Sequence, residues 1–426
     1  MPGRARSDVQ QSQVFDSLIP TAIHEDFNLQ KYHPLRLLCN PRHTCISQSL
    51  TTTMTQQPVR IIGAGIGGLT LGRCLLKHGV PAVLYERLPS SPRHGYGITL
   101  HASSYRPLLD ILGLDEWTFR RRMAVDGPLG GIGNIEPNLL VRPGKVDWSS
   151  FRAHRGKLEA LLRQGLDVQW GNALEKVEET SSGNTLCLKN APKLEGMCVV
   201  GADGPHSSTR KSLSPNTPLR VLPYVAFNGR RQVERTLFDS IYAPAMRGSN
   251  VIETKQGDVV LNVSVNEQQR DTVSMGWIYS RPAKGPADPL HKPNRSVSGV
   301  THIPEEFYEE LEPLQELEQP FKEVFNAEKL RVERVLHWLM RTVLVSHQGL
   351  RALAEKGVFF MGDSVHAEPI LGGEGAGNAI TDGIQLAKCI STFGPSGIPA
   401  WYDSRYPEWE SNVMKSEKGI GEMHGF

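Results

Sequence analysis

The chain has 426 residues, 39% of them hydrophobic and 22% charged, a balance that belongs to globular proteins and leaves room for roughly two or three domains. Its net charge of +2, with no apolar stretch long enough to span a bilayer, speaks against nucleic acid, anionic membrane or an integral membrane segment as partner. Six cysteines (Cys39, Cys45, Cys74, Cys187, Cys198, Cys389) stand apart without a Cys-x-x-Cys pair, so free thiols in a reducing, cytoplasmic compartment are expected, with no disulfide framework and no metal site.

Residues 1–57 are polar and aperiodic and are expected to be a disordered extension. Asp8, Asp16, Glu25 and Asp26 argue against a transit peptide, which avoids acids. Met54 opens MTQQPVRIIGAG, a start that suits the fold better. From Val59 the pattern is strand, glycine turn, helix, strand: VRIIGAGIGG, LTLGRCLLKHG, PAVLYER. Residues 155–164 read as a helix with Leu158, Leu161 and Leu162 on one face, and VQWG and CVVGADG as short strands. DVVLNVSVNEQQRDTVSMGWIYSRP reads as two alternating strands joined by a polar turn, the signal of an antiparallel sheet. An acidic helical stretch interrupted by prolines follows, then VERVLHWLM, helix or strand. VFFMGDSVHAEPILGGEGAGNAITDG (358–383) restores strand, glycine and helix.

Gly63-x-Gly65-x-x-Gly68 ends a hydrophobic strand and opens a helix, the context a dinucleotide fingerprint needs. The first glycine permits the tight turn, the second a close pyrophosphate, the third close packing of helix on strand. The helix N-terminus adds free N–H groups and positive dipole. Glu86 closes the next strand, placed to accept from ribose hydroxyls.

GADGPHSSTR brings Asp203 and Gly204 to the end of a buried strand, with Ser207 and Arg210 on the next turn. It resembles the Asp-Gly motif of the aromatic-hydroxylase class of flavoprotein monooxygenases; read alone, Asp203 is as well a helix cap. Gly362-Asp363, Pro369 and Gly372-Gly373-x-Gly375 resemble the second FAD motif of that class. With GYGITLHASSYRPLL, HRGKLEALL, GWIYSRP and HWLMR, the likeness from about residue 58 onward is to the fungal FAD-dependent monooxygenases that decorate secondary metabolites.

The resemblance implies an α/β fold, a Rossmann-like FAD-binding domain (58–222 and 333–426) with an inserted antiparallel-sheet substrate domain (223–332). It implies tightly bound FAD, NADPH as reductant, O2 and a hydrophobic small molecule as partners, and hydroxylation, epoxidation or Baeyer–Villiger insertion through a flavin hydroperoxide. Asp363 would hold a ribityl or ribose hydroxyl, Gly373 and Gly375 would lie against the isoalloxazine, and Arg155 would contact FAD. Arg210 would meet the NADPH pyrophosphate at a groove mouth. The family's Asn is replaced by Gly377; either Asn378 substitutes for it through a small backbone shift, or the flavin's pyrimidine edge loses one contact. His101 and Tyr96 are candidate acid–base residues, and His366 and Glu368 border the glycine motif. Trp277, Tyr279, Trp338 and Arg341 would line or support the substrate cavity, or pack the core. A flavin-dependent halogenase and a non-catalytic FAD-binding paralogue are the rival readings. GWIYSRP lacks the halogenase's second Trp and Ile-Pro ending, and Gly377 lends the paralogue some support.

Overall fold

The computed structural model of the protein describes residues 57–90, 95–135, 149–180, 183–189, 191–196, 198–314 and 316–425. The expected disordered extension lies, but for residue 57, outside them. In chain order, β1 (Val59–Ile62), α1 (Ile66–Lys77) and β2 (Ala82–Glu86) form the first unit. Apolar residues at helical spacing on α1 (Leu71, Cys74, Leu75) press onto Ile61 and Leu84 of the strands. β3 (Gly97–His101) runs straight into α2 (Ala102–Leu112), and its antiparallel partner β4 (Ser150–His154) into α3 (Arg155–Leu162). β5 (Asp167–Trp170) and β6 (Val199–Gly201) follow, the latter leading to α4 (Ser208–Leu213).

Next comes β7 (Arg220–Glu234), then β8 (Val251–Gln256), β9 (Val259–Gln268) and β10 (Thr272–Pro282). The acidic stretch begins as α5 (Glu305–Leu311), which buries Phe307, Tyr308 and Leu311. VERVLHWLM resolves as a strand, β11 (Val335–Leu344). β12 (Val358–Phe360), β13 (His366–Ala367), α6 (Gly375–Phe393) and α7 (Ile398–His424) complete the chain. Among the described residues no helix is long and apolar enough to cross a membrane.

Two sheets organise these elements. The parallel sheet has the order β12-β6-β1-β2-β5. Because its strands run one way, the turns after β1, β6 and β12 and the end of β2 share one edge, where ligands of open α/β sheets bind. The antiparallel sheet has the order β8-β9-β10-β7-β11-β13. β11, on the 333–426 side of the expected division, is therefore a strand of the antiparallel sheet.

Alternation along its strands gives that sheet two unlike faces. Phe227, Leu261, Val263, Trp277 and Tyr279 face α5 in a closed core. The opposite face carries Ala226, paired with Ser280 and Trp338. There Leu222, Ala226 and Met340, with Tyr224 and Trp338, pack around Leu371 of the glycine-rich stretch. One face is core; the other looks onto the glycine motif.

Candidate functional site

The first turn is tight for a steric reason. Gly63 has φ +103°, and a Cβ there would stand 2.5 Å from Ala202 O; at Gly68 it would stand 2.1 Å from Gly63 O. Gly65 opens α1, and a Cβ added to it would meet nothing within 4 Å, so there is free space against that backbone. Glu86, buried at the end of β2, holds the turn's shape: its Oε2 accepts from Ala64 N–H at 2.9 Å and its Oε1 from Leu88 N–H at 3.0 Å.

α6 lies along α1 through small residues. A Cβ on Gly67 would meet Ala379 Cβ at 3.3 Å, and one on Gly383 would meet Leu71 N at 2.9 Å. Both pairs progress in the same direction, so the two helices are parallel and their N-termini open side by side. α2 joins them, since a Cβ on Gly377 would stand 2.7 Å from Ser104 Oγ. Their combined dipoles favour negative charge at this edge.

Asp363 sits in the single turn after β12. Its partly buried carboxylate makes no hydrogen bond or ion pair with a described residue. Loss of water pushes its pKa up to about 6, against the pull of His366 and Arg155. A buried carboxylate without donors is unfavourable, so this group fits the hydroxyls of a bound ligand. Gly375, at the start of α6, has only Asp363 Oδ1 near its Cβ position, at 3.5 Å, and Gly373 (φ +75°) has nothing within 4 Å. The buried Pro369 starts the turn that leads into them. A flavin's hydroxyls, pyrophosphate and flat ring thus each meet a matching feature.

Several residues expected as ligands make bonds within the protein. Asp203 accepts from Ser207 Oγ–H at 2.6 Å and from Thr209 N–H and Oγ1–H at 3.1 Å each; it fastens the start of α4. Arg210 lies inside the protein instead of at a groove mouth. It is 1% exposed and donates to Ser364 O at 2.7 Å and Pro205 O at 2.5 Å. Two of its donors are taken up by backbone carbonyls. Asn378 donates to Glu368 Oε1 at 2.5 Å and accepts from Asn412 Nδ2–H at 3.1 Å, while Ser416 Oγ–H donates to Glu368 Oε2 at 2.8 Å. This network faces α7.

Arg155 opens α3, where its Nε–H donates to Glu159 at 2.9 Å and Nη1–H to the Tyr96 hydroxyl. His101, at the end of β3, pairs with Glu374 of the glycine motif at 3.0 Å, a contact that raises the imidazole pKa. Trp277 and Tyr279 belong to the closed core and so lie away from the glycine motif. Arg341 is partly buried on β11.

A buried hub under the glycine turn was not expected. Asp382 on α6 accepts from Gly362 N–H (2.9 Å), His366 Nε2–H (2.6 Å), Arg405 Nε–H (2.9 Å) and Trp409 Nε1–H (2.9 Å). Burial raises its pKa, but His366 and Arg405 outweigh that and hold it down at about 2. The signal available in the sequence was an acid on the inner side of an otherwise apolar helix, a residue type rarely buried unless paired.

Residues 56–394 match the family described as FAD binding domain. The chain is 34% identical over 376 residues to FAD-dependent monooxygenase nscC of Trichophyton rubrum, covering 85% of this chain and 89% of that protein. It is 31% identical over 389 residues to FAD-dependent monooxygenase adaC of Aspergillus niger, covering 86% and 93%. Its fold is similar to 2,6-dihydroxypyridine-3-hydroxylase from Arthrobacter nicotinovorans (TM-score 0.64, 17% identity, 86% and 92% covered) and to CtdE in complex with FAD and a substrate (TM-score 0.62, 16% identity, 87% and 90% covered). Taken with a strand-end edge shaped for a flavin, these likenesses show that the chain belongs to the fungal FAD-dependent monooxygenases of the aromatic-hydroxylase class.

Proposed function

We propose that this enzyme uses NADPH and O2 to hydroxylate or epoxidise a hydrophobic small molecule, an intermediate of fungal secondary metabolism. The observation that carries the reading is the partnerless Asp363 carboxylate beside the open backbones of Gly373 and Gly375. In this reading Gly63, Gly65, Gly68 and the start of α1 hold the pyrophosphate, and Glu86 faces the ribose. Asp363 accepts from a ribityl or ribose hydroxyl, and Gly373 and Gly375 leave room for the ring. Arg155 contributes its charge to the same edge. Asp203, Arg210, Pro369 and Asn378 act through the turns they brace.

Bound FAD supplies the redox and oxygen-activating chemistry. The protein's share is to bind, orient and exclude water. The side of the antiparallel sheet that carries Ala226, Trp338 and Met340, closed by Leu371, is the floor of the substrate cavity. Segments 58–222 and 333–426 serve the flavin and 223–332 the substrate, with β11 contributing to both. His101, bridged to Glu374, spans the gap between β3 and the glycine motif as the candidate proton-handling group; Tyr96, before the opposite end of β3, is the other candidate and meets Arg155. We place the enzyme in the cytoplasm, since Cys74, Cys187, Cys198 and Cys389 are buried free thiols.

The test is anaerobic mixing of FAD-loaded protein with NADPH, with and without polyketide or indole-type candidates, followed by product mass after air is admitted. Bleaching of the flavin and a product heavier by one oxygen are expected. Flavin that NADPH never bleaches would leave the paralogue reading, and a chloride-dependent product the halogenase reading.

A further inference from the structure

A cation with no counter-ion among the described residues lies against the antiparallel sheet. Arg152 on β4 reaches across to the antiparallel sheet, where Nη2–H donates to Ser264 Oγ at 3.1 Å; Nη1–H makes only a long 3.5 Å contact with Thr99 Oγ1. Its Nε is sealed from solvent and has no hydrogen-bond partner. It lies where the side chain of residue 97 would be, since a Cβ on Gly97 would stand 2.5 Å from it. No carboxylate of a described residue pairs with this guanidinium. A guanidinium offers five donors in a planar fork, and here two neutral hydroxyls answer them.

Position decides what the fork can meet. Ser264 pairs with Gly276 on β10, and strand alternation puts both on the same side as Ser280 and Ala226, the side that looks onto the glycine motif. At the other end of the β3–β4 ribbon, His101 is bridged to Glu374 of that motif. Arg152 therefore lies on the side of the sheet that looks onto the glycine motif. Nearby, Asn228, which register places on the same side, has a buried Oδ1 without a partner.

We propose that Arg152 anchors an oxyanion of the substrate, an aromatic carboxylate or an ionised phenol or enol, and so sets which part of an aromatic molecule faces the oxygenation site. A cation left unpaired in a partly dry site is unfavourable until an anion arrives. In keeping with that, burial holds the Arg152 pKa down at about 10, with only the Tyr96 hydroxyl acting the other way. A planar carboxylate or an enolate flanked by a carbonyl matches the fork with two parallel hydrogen bonds. The inference rests on reading this face as the substrate site; it adds the charge the substrate must carry.

The experiment measures binding, so it does not depend on turnover. Tryptophan fluorescence of the FAD-loaded protein is titrated with 3-hydroxy-2-naphthoate, with its neutral amide, and with 4-nitro-1-naphthol, which is ionised at neutral pH and has no carboxylate. One or both anions are expected to bind about tenfold to a hundredfold more tightly than the amide, the scale of one charged hydrogen-bonded pair. Preference for the first anion identifies a carboxylate, preference for the second an enolate. Arg152→Gln should erase the difference with FAD content unchanged, and Arg152→Lys should keep only part of it. Equal affinities of all three probes for the unsubstituted protein, or an anion preference that survives in Arg152→Gln, would overturn the proposal. The comparison within the unsubstituted protein holds even if a variant fails to fold. Anion preference without oxygenation would count against the oxygenase reading alone.

Discussion

Asp363 is the residue in which structure and chemistry meet most closely. In the flavin-free protein its pKa stands at about 6, raised by loss of water, whereas an unfolded aspartate titrates near about 3.9. A folded-state value above the unfolded one means that this group adds stability below about pH 4, lost as pH rises through about 6. In the proposed function, flavin hydroxyls donate to the ionised form and reverse that preference. FAD affinity is therefore expected to rise about tenfold between pH 5 and pH 7.5, and Asp363→Asn to flatten this rise while weakening binding. Fluorescence titration of flavin-free protein with FAD at several pH values checks both. A pH-independent affinity in the unsubstituted protein would place the flavin hydroxyls elsewhere.

The same scale shows what the sequence could disclose. Gly63, Gly65, Gly68 and Asp363 were legible because their spacing is local and their context, strand then helix, is read from neighbours. Arg210 was legible as a cation but not as a buried one, because its acceptor Ser364 O is 154 residues away. Asp203 could be read two ways; Ser207 is the N-cap of α4, and Asp203 accepts from Ser207 Oγ–H and Thr209 N–H beside it.

Among the elements, α6 explains the departure from the family at residue 377. The helix crosses α2 so closely that a Cβ on Gly377 would meet Ser104 Oγ at 2.7 Å and Ser104 Cβ at 3.3 Å. Glycine is there to let two helices touch. Gly377→Asn should therefore destabilise the protein by about 1–3 kcal/mol through overpacking, and Ser104→Ala should recover part of the loss by removing the nearest atom. Urea unfolding of both variants measures it; an unchanged midpoint for Gly377→Asn would show that the crossing yields freely.

Elements with regular patterns were read and irregular ones were not. The alternation of β9 and β10 is visible in the chain, whereas β7 shifts register between Val221 and Val225 and contains Pro223, Gly229 and three arginines. α7 carries Pro407 within it, a residue that normally breaks a helix. Its bonds to α6 through Arg405 and Trp409 supply tertiary support that no local rule detects.

At the scale of the whole described structure, α7 ties the two sheets to one task. Near its middle it reaches Asp382 under the flavin edge, and at its end His424 shares a 3.0 Å hydrogen bond with Ser280 on the cavity side of the antiparallel sheet. The proposed flavin edge and substrate floor are thereby held in register, as group transfer between two bound molecules requires. In the proposed function, one oxygen atom passes from O2 to a substrate held on that floor. The direct measurement is turnover under 18O2 with FAD, NADPH and an aromatic polyketide substrate. One labelled oxygen atom in the product for each NADPH consumed is the expected result. Product oxygen drawn from water would contradict that transfer.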